Sequence, residues 1–179
     1  MRIAPRVALV TSVALLGLAS ATGPASPSPV TLGENQDYIT QAAAQDVKLE
    51  NAARAGVVLD EETGGGVNAG VGAYHRKGGR DGVWEVLPAA DSVLLRKWSG
   101  GEELCAAAWP NEMMADVSMQ PCGAIGAKWW DEIAVGSNRY VYRSAEKGTC
   151  MAATRENAAV ELVECAFEDP AQQWVKRPR

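Results

Sequence analysis

Three tryptophans, Trp84, Trp129 and Trp174, are spaced by 45 residues twice over, and Cys105 and Cys150 each stand 24 residues before the next of them. In a chain with four cysteines and six tryptophans, agreement of both spacings marks one supersecondary unit repeated, the signature of a stacked or symmetric array. The segments before each cysteine position agree as well. "VKLENAARAGVVLD" (Val47 to Asp60), "VLLRKWSGGEELCAA" (Val93 to Ala107) and "YVYRSAEKGTCMAA" (Tyr140 to Ala153) each read strand, turn, strand. Three units of about 45 residues thus cover 47–179.

Short strands at regular spacing predict an all-β fold, and a threefold period predicts a closed arrangement with few free edges. A propeller of similar period would usually need four or more blades. The periodic Trp84, Trp129 and Trp174 are expected as core rings near a common axis, not as binding residues. Trp98 and Trp109 fall outside the period and are left either to face a partner or to plug the barrel.

The residues ahead of the repeats have a different character. Arg2 and Arg6 flank the start of an apolar run, Val7 to Leu18, followed by the small residues Ala19-Ser20-Ala21. This is the pattern of a cleaved secretory signal over 1–21, and the run is too short for a bilayer, which takes roughly 20 residues. Thr22 to Pro29 is Pro/Ser-rich, and Glu34 to Asp46 is polar with an alanine run that allows a short helix; together 22–46 read as a linker or arm. Removing 21 of the 179 residues leaves 158, one domain's worth, and takes away two of the 17 basic residues, so that 15 face 22 acidic ones. That excess of negative charge argues against nucleic acid, whose affinity comes largely from Lys and Arg on phosphates. No other apolar run is long enough to span a membrane. Four cysteines in an exported chain point to two disulfides, and the product is expected to be secreted and extracellular.

The repeats resemble the ricin B-type β-trefoil lectins, whose units carry a "GKCLD" turn, a second cysteine and a terminal QxW. The third unit is nearest, through "GTCMAA", "ELVEC" and "PAQQW". The second keeps both cysteines and Trp129 but has Ala127 at the motif glutamine, and the first has Val58 and Arg76 at the cysteine positions while keeping Leu59-Asp60 and "GGRDGVW". The resemblance implies a β-trefoil and pairing within units, Cys105–Cys122 and Cys150–Cys165; four cysteines allow three connectivities, and the residues alone do not choose.

A shallow sugar site needs a carboxylate or amide to accept from vicinal hydroxyls and an aromatic face for the apolar side of the pyranose. In the family the acid follows the first cysteine position by two, the aromatic precedes the second by two, and an Asn or Asp lies shortly before the tryptophan. Carried over, these give Asp60, Tyr74 and Asp81 in the first unit, with His75, the only histidine, beside them. The same positions are Ala107 and Gln120 in the second unit and Ala152 and Val163 in the third, where acid and ring are both lost. The units with the better scaffold have lost the site.

Other chemistry finds little footing. A triad could use only His75, and no GxSxG surrounds any serine. The cysteines are better spent on disulfides than on zinc, so no metal or other cofactor is expected. "ETGGGVNAGVG" (Glu62 to Gly72) lacks the P-loop lysine, and "DEETGG" lacks the alternating ligands of a calcium loop. Asp131 and Glu132 are adjacent and would face opposite ways on a strand. No enzyme is expected. The expectation is a lectin-like module with one site, its partner a glycan or polysaccharide. The alternative is a protein-interaction or cell-binding subunit on a degenerate trefoil, a layout similar to the lectin-like subunits of cytolethal distending toxins. A trefoil protease inhibitor would act through an exposed loop, and no loop advertises itself.

Overall fold

A computed structural model describes residues 43–62, 64–75, 82–109, 115–124, 126 and 128–179. The signal segment, the Pro/Ser arm, Arg76 and Asp81 lie outside them. The described residues are strands and turns throughout, and no helix among them is long and apolar enough to cross a membrane.

Each unit supplies four main strands. The first has β1 (Gln45–Asn51), β2 (Val57–Glu61), β3 (Val71–His75) and β4 (Val83–Ala89). The second has β5 (Ser92–Ser99), β6 (Glu102–Ala107), β7 (Ser118–Pro121) and β8 (Trp130–Gly136). The third has β9 (Arg139–Ser144), β10 (Cys150–Ala152), β12 (Glu161–Val163) and β13 (Gln173–Pro178), with a short β11 (Ala158–Ala159) inserted. The outer strands of each unit pair antiparallel in the cycle β1–β4–β5–β8–β9–β13 and back to β1, a closed six-stranded barrel with no free edge. The inner strands form three hairpins, β2–β3, β6–β7 and β10–β12. Six barrel strands and three hairpins in threefold repetition are a β-trefoil, closed as the period predicts and of the fold the resemblance implies.

The core explains the period and corrects one member of it. Trp84, Trp130 and Trp174 are fully buried, whereas Trp129 is 39% exposed. Each buried indole N–H donates to a hairpin carbonyl: Trp84 to Leu59 at 2.9 Å, Trp130 to Ala106 at 2.9 Å, Trp174 to Met151 at 3.3 Å. Trp130 opens β8 facing inward, so its neighbour in a period-two strand must face out. The equal spacing to Trp129 arises because the second unit's loops differ in length from the third's: its disulfide closes 17 residues rather than 15. With the register moved by one, the motif glutamine position is Lys128. Its ammonium donates to the carbonyls of Cys122 and Ala124, where the third unit's Gln172 donates to Glu164 O at 3.1 Å and accepts from Ala166 N–H at 3.0 Å.

Both disulfides form within units, Cys105–Cys122 and Cys150–Cys165, as the resemblance implies. Closing loops of this size contributes roughly 3 kcal/mol each by restricting the unfolded chain. In the first unit Val58 fills the corresponding volume and is buried against Gly82, where an added Cβ would lie 2.7 Å from its Cγ2. Gly82 also sits at φ 69°, so no other residue fits there without strain.

A buried network closes the third unit onto the second. Tyr142 lies opposite Glu132, its hydroxyl donates to Glu132 Oε2 at 2.9 Å, and Lys176 Nζ reaches Glu132 Oε1 at 2.7 Å. Burial first, and the Glu132 carboxylate second, hold the Tyr142 phenol well above its ordinary range. The folded state therefore keeps a proton that the unfolded phenol releases near pH 10. Its share of stability is complete below that pH and is lost progressively as the pH rises from there through the higher folded-state value. Denaturant unfolding at a series of alkaline pH values should show a steeper loss for the wild type than for Tyr142→Phe. That variant should cost about 1.5–3 kcal/mol at neutral pH for a hydrogen bond to a charged group.

Candidate functional site

The three hairpins share one register, and this settles which positions are equivalent. Val58 faces Tyr74, Cys105 faces Gln120, and Cys150 faces Val163. Two residues on, Asp60 faces Gly72, Ala107 faces Ser118, and Ala152 faces Glu161. Acid and ring positions therefore sit diagonally across one hairpin, and only the first unit has an acid and a ring there.

Gly72 is what lets these two residues meet. An added Cβ would lie 2.6 Å from the Tyr74 hydroxyl oxygen and 2.6 Å from the Ala158 carbonyl oxygen. The tyrosine ring thus folds back over the bare backbone opposite Asp60, while β11 of the third unit pairs along the other edge of β3. Burial, followed by the carboxylates of Glu62 and Asp60, raises the Tyr74 pKa, so the phenol keeps its proton and can donate.

Asp60, Tyr74 and His75 line one cleft of about 490 Å³. Asp81, the fourth expected residue, lies outside the described residues. His75 stands at the rim, where its Nε2 is 3.0 Å from Glu156 Oε2, and both side chains are exposed. It engages the third unit more than the cleft floor.

The opposite wall comes from the second unit, through Lys97, Trp98, Ser99 and Gly100 at the end of β5. Lys97 forms an ion pair with Asp60 Oδ1, approaches Glu61 Oε1 at 3.3 Å, and stands 5.7 Å from the centre of the Trp84 ring. Asp60 Oδ1 also accepts from the Glu61 N–H at 2.9 Å. Oδ1 is thereby anchored from two sides, and Oδ2 has no hydrogen-bond partner among the described residues. The glycine loop after β2 closes the back. Gly66 N–H donates to Ser99 Oγ at 3.0 Å, and a Cβ on Gly65 would fall 2.5 Å from that oxygen and 3.0 Å from Glu61 Oε2.

Reading each unit by itself passes over Lys97, Trp98 and Ser99, because they belong to the next unit. Their signal is "RKWSGG", Arg96 to Gly101, in which a tryptophan outside the core period sits beside a lysine and a glycine turn.

The second unit's equivalent position is altered in kind. Ala107 and Gln120 line a cavity of only about 60 Å³ together with Trp109 and Lys128. The Trp109 ring packs over Gly126, and Gln120 Nε2 donates to Asn68 Oδ1 at 2.9 Å and to Ser118 Oγ at 3.0 Å. Trp109 is nonetheless half exposed, and Lys128 lies 5.9 Å from the centre of the partly exposed Trp129 ring. In the third unit Ala152 is buried.

In sequence the chain matches no known family and no curated protein. In structure it is similar to the designed threefold-symmetric protein ThreeFoil, with a TM-score of 0.62 at 18% identity over 73% of this chain and 96% of that one. It is similar to the Haemophilus ducreyi cytolethal distending toxin, with a TM-score of 0.59 at 19% identity over 75% of this chain and 83% of that one. A mosquitocidal holotoxin gives a TM-score of 0.63 at 11% identity, over 76% of this chain but 17% of the holotoxin chain. At such identities the likeness is one of fold: the chain is a β-trefoil.

The cation at the cleft floor has a measurable role. Lys97→Met leaves Asp60 and Glu61 adjacent and mostly shielded from water without their ammonium. It should lower unfolding free energy by about 1.5–3 kcal/mol, read by urea denaturation. Lys97→Arg should recover most of the loss. Equal stability of wild type and Lys97→Met would mean that the ion pair is only a surface contact.

Proposed function

We propose that the protein is a secreted carbohydrate-binding module whose site is the first-unit cleft, formed by Asp60 and Tyr74 with His75 at the rim. One observation carries this reading: a carboxylate pinned through one oxygen and a tyrosine ring line one cleft across a glycine that clears space for the ring. Oδ2 of Asp60 can accept from a pair of vicinal hydroxyls, the phenol can accept or donate, and the ring offers a face to pyranose C–H groups. Asp81, close in sequence, is the further acceptor suggested by the resemblance. The role is binding without catalysis, and it needs no cofactor. Two disulfides suit an oxidising destination outside the cell. One shallow site corresponds to monosaccharide affinity near the millimolar level, about −4 kcal/mol.

A second reading has its own observation. Trp109 and Trp129 are both partly exposed and are linked through Lys128 on the unit whose acid and ring positions are lost. Aromatic side chains of this kind are enriched where proteins dock. In that reading the chain is a protein-interaction or cell-binding subunit of a toxin-like complex, and the structural likeness to toxin proteins supports it.

A glycan array separates the two. Asp60→Asn should weaken binding about ten- to a hundredfold, the equivalent of losing a charge-assisted acceptor worth about 1.5–3 kcal/mol. Tyr74→Phe should be mild and Tyr74→Ala severe, with the melting temperature followed in parallel. Binding that survives intact in a folded Asp60→Asn protein would remove the first-unit site. Binding to no glycan at all, with a partner captured only while Trp109 and Trp129 are present, would favour the second reading.

A further inference from the structure

Trp98 is 68% exposed, the most exposed of the large apolar side chains among the described residues. A single exposed apolar residue needs no explanation by itself. The position of this one does. Lys97 and Trp98 form a wall common to two clefts: the first-unit cleft of about 490 Å³ and a neighbour of about 360 Å³, lined also by Asp46, Glu85, Arg96, Glu103 and Arg179. The indole therefore stands on the ridge between two polar hollows, with Tyr74 in one of them. Clefts of about 300–1,000 Å³ accept ligands of drug size, larger than a single hexose.

The ridge is held firmly. Beneath it Lys97 is tied to Asp60 and Glu61. On the far side Arg96 is bound to Glu85 at 2.6 Å and to Glu103 at 3.4 Å, and Glu103 is the cross-strand partner of Trp98 itself. Arg179 pairs with Asp46 at 3.3 Å. The second cleft thus sets three cations, Arg96, Lys97 and Arg179, against three carboxylates, Asp46, Glu85 and Glu103. Its charges are balanced and matched within the protein, while its lining remains rich in donors and acceptors. A charged ligand would have to break those pairs; a neutral polyhydroxylated one can bridge them.

Resting on the sugar-binding reading and extending it, we propose that the ligand is an internal stretch of a neutral glycan chain. It runs from the Asp60–Tyr74 cleft over the Trp98 indole into the Arg96–Glu85–Glu103 cleft. Trp98 supplies the stacking face at the crossing, and the two clefts take the sugar units on either side. Chain length, more than the identity of one terminal sugar, then sets affinity.

The test is affinity electrophoresis of the full mature chain in gels containing a galactan, a xylan or a mannan. Calorimetry follows with the mono- to tetrasaccharides of whichever polymer retards it. Affinity should rise at least about tenfold from mono- to tetrasaccharide, the scale of one added aromatic stacking contact. Trp98→Ala should flatten the rise in affinity from mono- to tetrasaccharide, and Trp98→Phe should keep most of it. Asp60→Asn should weaken mono- and tetrasaccharide alike. Equal affinity at every chain length, or equal loss by Trp98→Ala for mono- and tetrasaccharide, overturns the groove and leaves the first-unit site standing. Retardation by none of the neutral gels, with binding only to an anionic polymer such as a sulfated galactan, overturns the choice of a neutral chain. Failure to bind any glycan overturns the sugar-binding reading and this inference together.

Discussion

Each of the three hairpins is fastened to the barrel by an indole N–H that reaches a strand carbonyl, and the rest of the architecture depends on that bond. The acceptors, Leu59, Ala106 and Met151, stand one residue before the acid position of their unit. In a strand consecutive side chains point to opposite faces. Leu59 is fully buried, so Asp60 is turned outward into the cleft. The bond satisfies a buried indole donor, which would be costly to leave unpaired, and in the same step it sets the direction of the Asp60 side chain. A scaffold contact and a site coordinate are one interaction.

The units divide their labour unequally. Two of them lock their hairpins with disulfides and have apolar or amide side chains where a ligand group would stand. The first has no disulfide, and its hairpin is braced by its neighbours. Val58 packs against Gly82, β11 of the third unit runs beside β3, and Lys97 of the second unit grips Asp60 and Glu61. Asn68 N–H donates to Met119 O at 2.8 Å, and Gly70 bridges to Ser118. The barrel makes this variation tolerable. Its ring of strands closes without the hairpin side chains, so changes at the acid and ring positions leave the core bonds in place.

Much of this was legible because repeats report on themselves. Strand, turn and strand recur at one period, so the trefoil, the three units and the local disulfides follow from spacing and resemblance. Asp60 and Tyr74 could be placed because each stands a fixed step from a cysteine position, and the hairpin register preserves that step. The tryptophan doublet defeated the same counting. Loop lengths in the second unit changed in ways that partly cancel, and the spacing matched the outer indole, Trp129, where burial selects Trp130. Lys97 and Gly72, and the place of Trp98 beyond its standing outside the period, were illegible for a different reason. Their roles arise from approach between strands of different units, or from the absence of a side chain, and neither leaves a period.

The site therefore has the form of a junction, although its motif belongs to one unit. Asp60 and Tyr74 come from the first hairpin, the opposite wall from the second unit, and the brace along β3 from the third. A threefold scaffold carrying three identical sites would need each unit to supply both the motif of its own cleft and the wall of the one before it. With Ala107 and Ala152 at the acid positions, only the first unit pairs a motif with a wall from its neighbour; the second unit's small cavity is lined by its own residues. Lys97 serves as counter-ion to both Asp60 and Glu61, and Trp98 stands in solvent on a ridge between two clefts. The asymmetry between the units is thus one of lining: the second unit lacks the acid and ring and contributes Lys97, Trp98, Ser99 and Gly100 to the first unit's cleft.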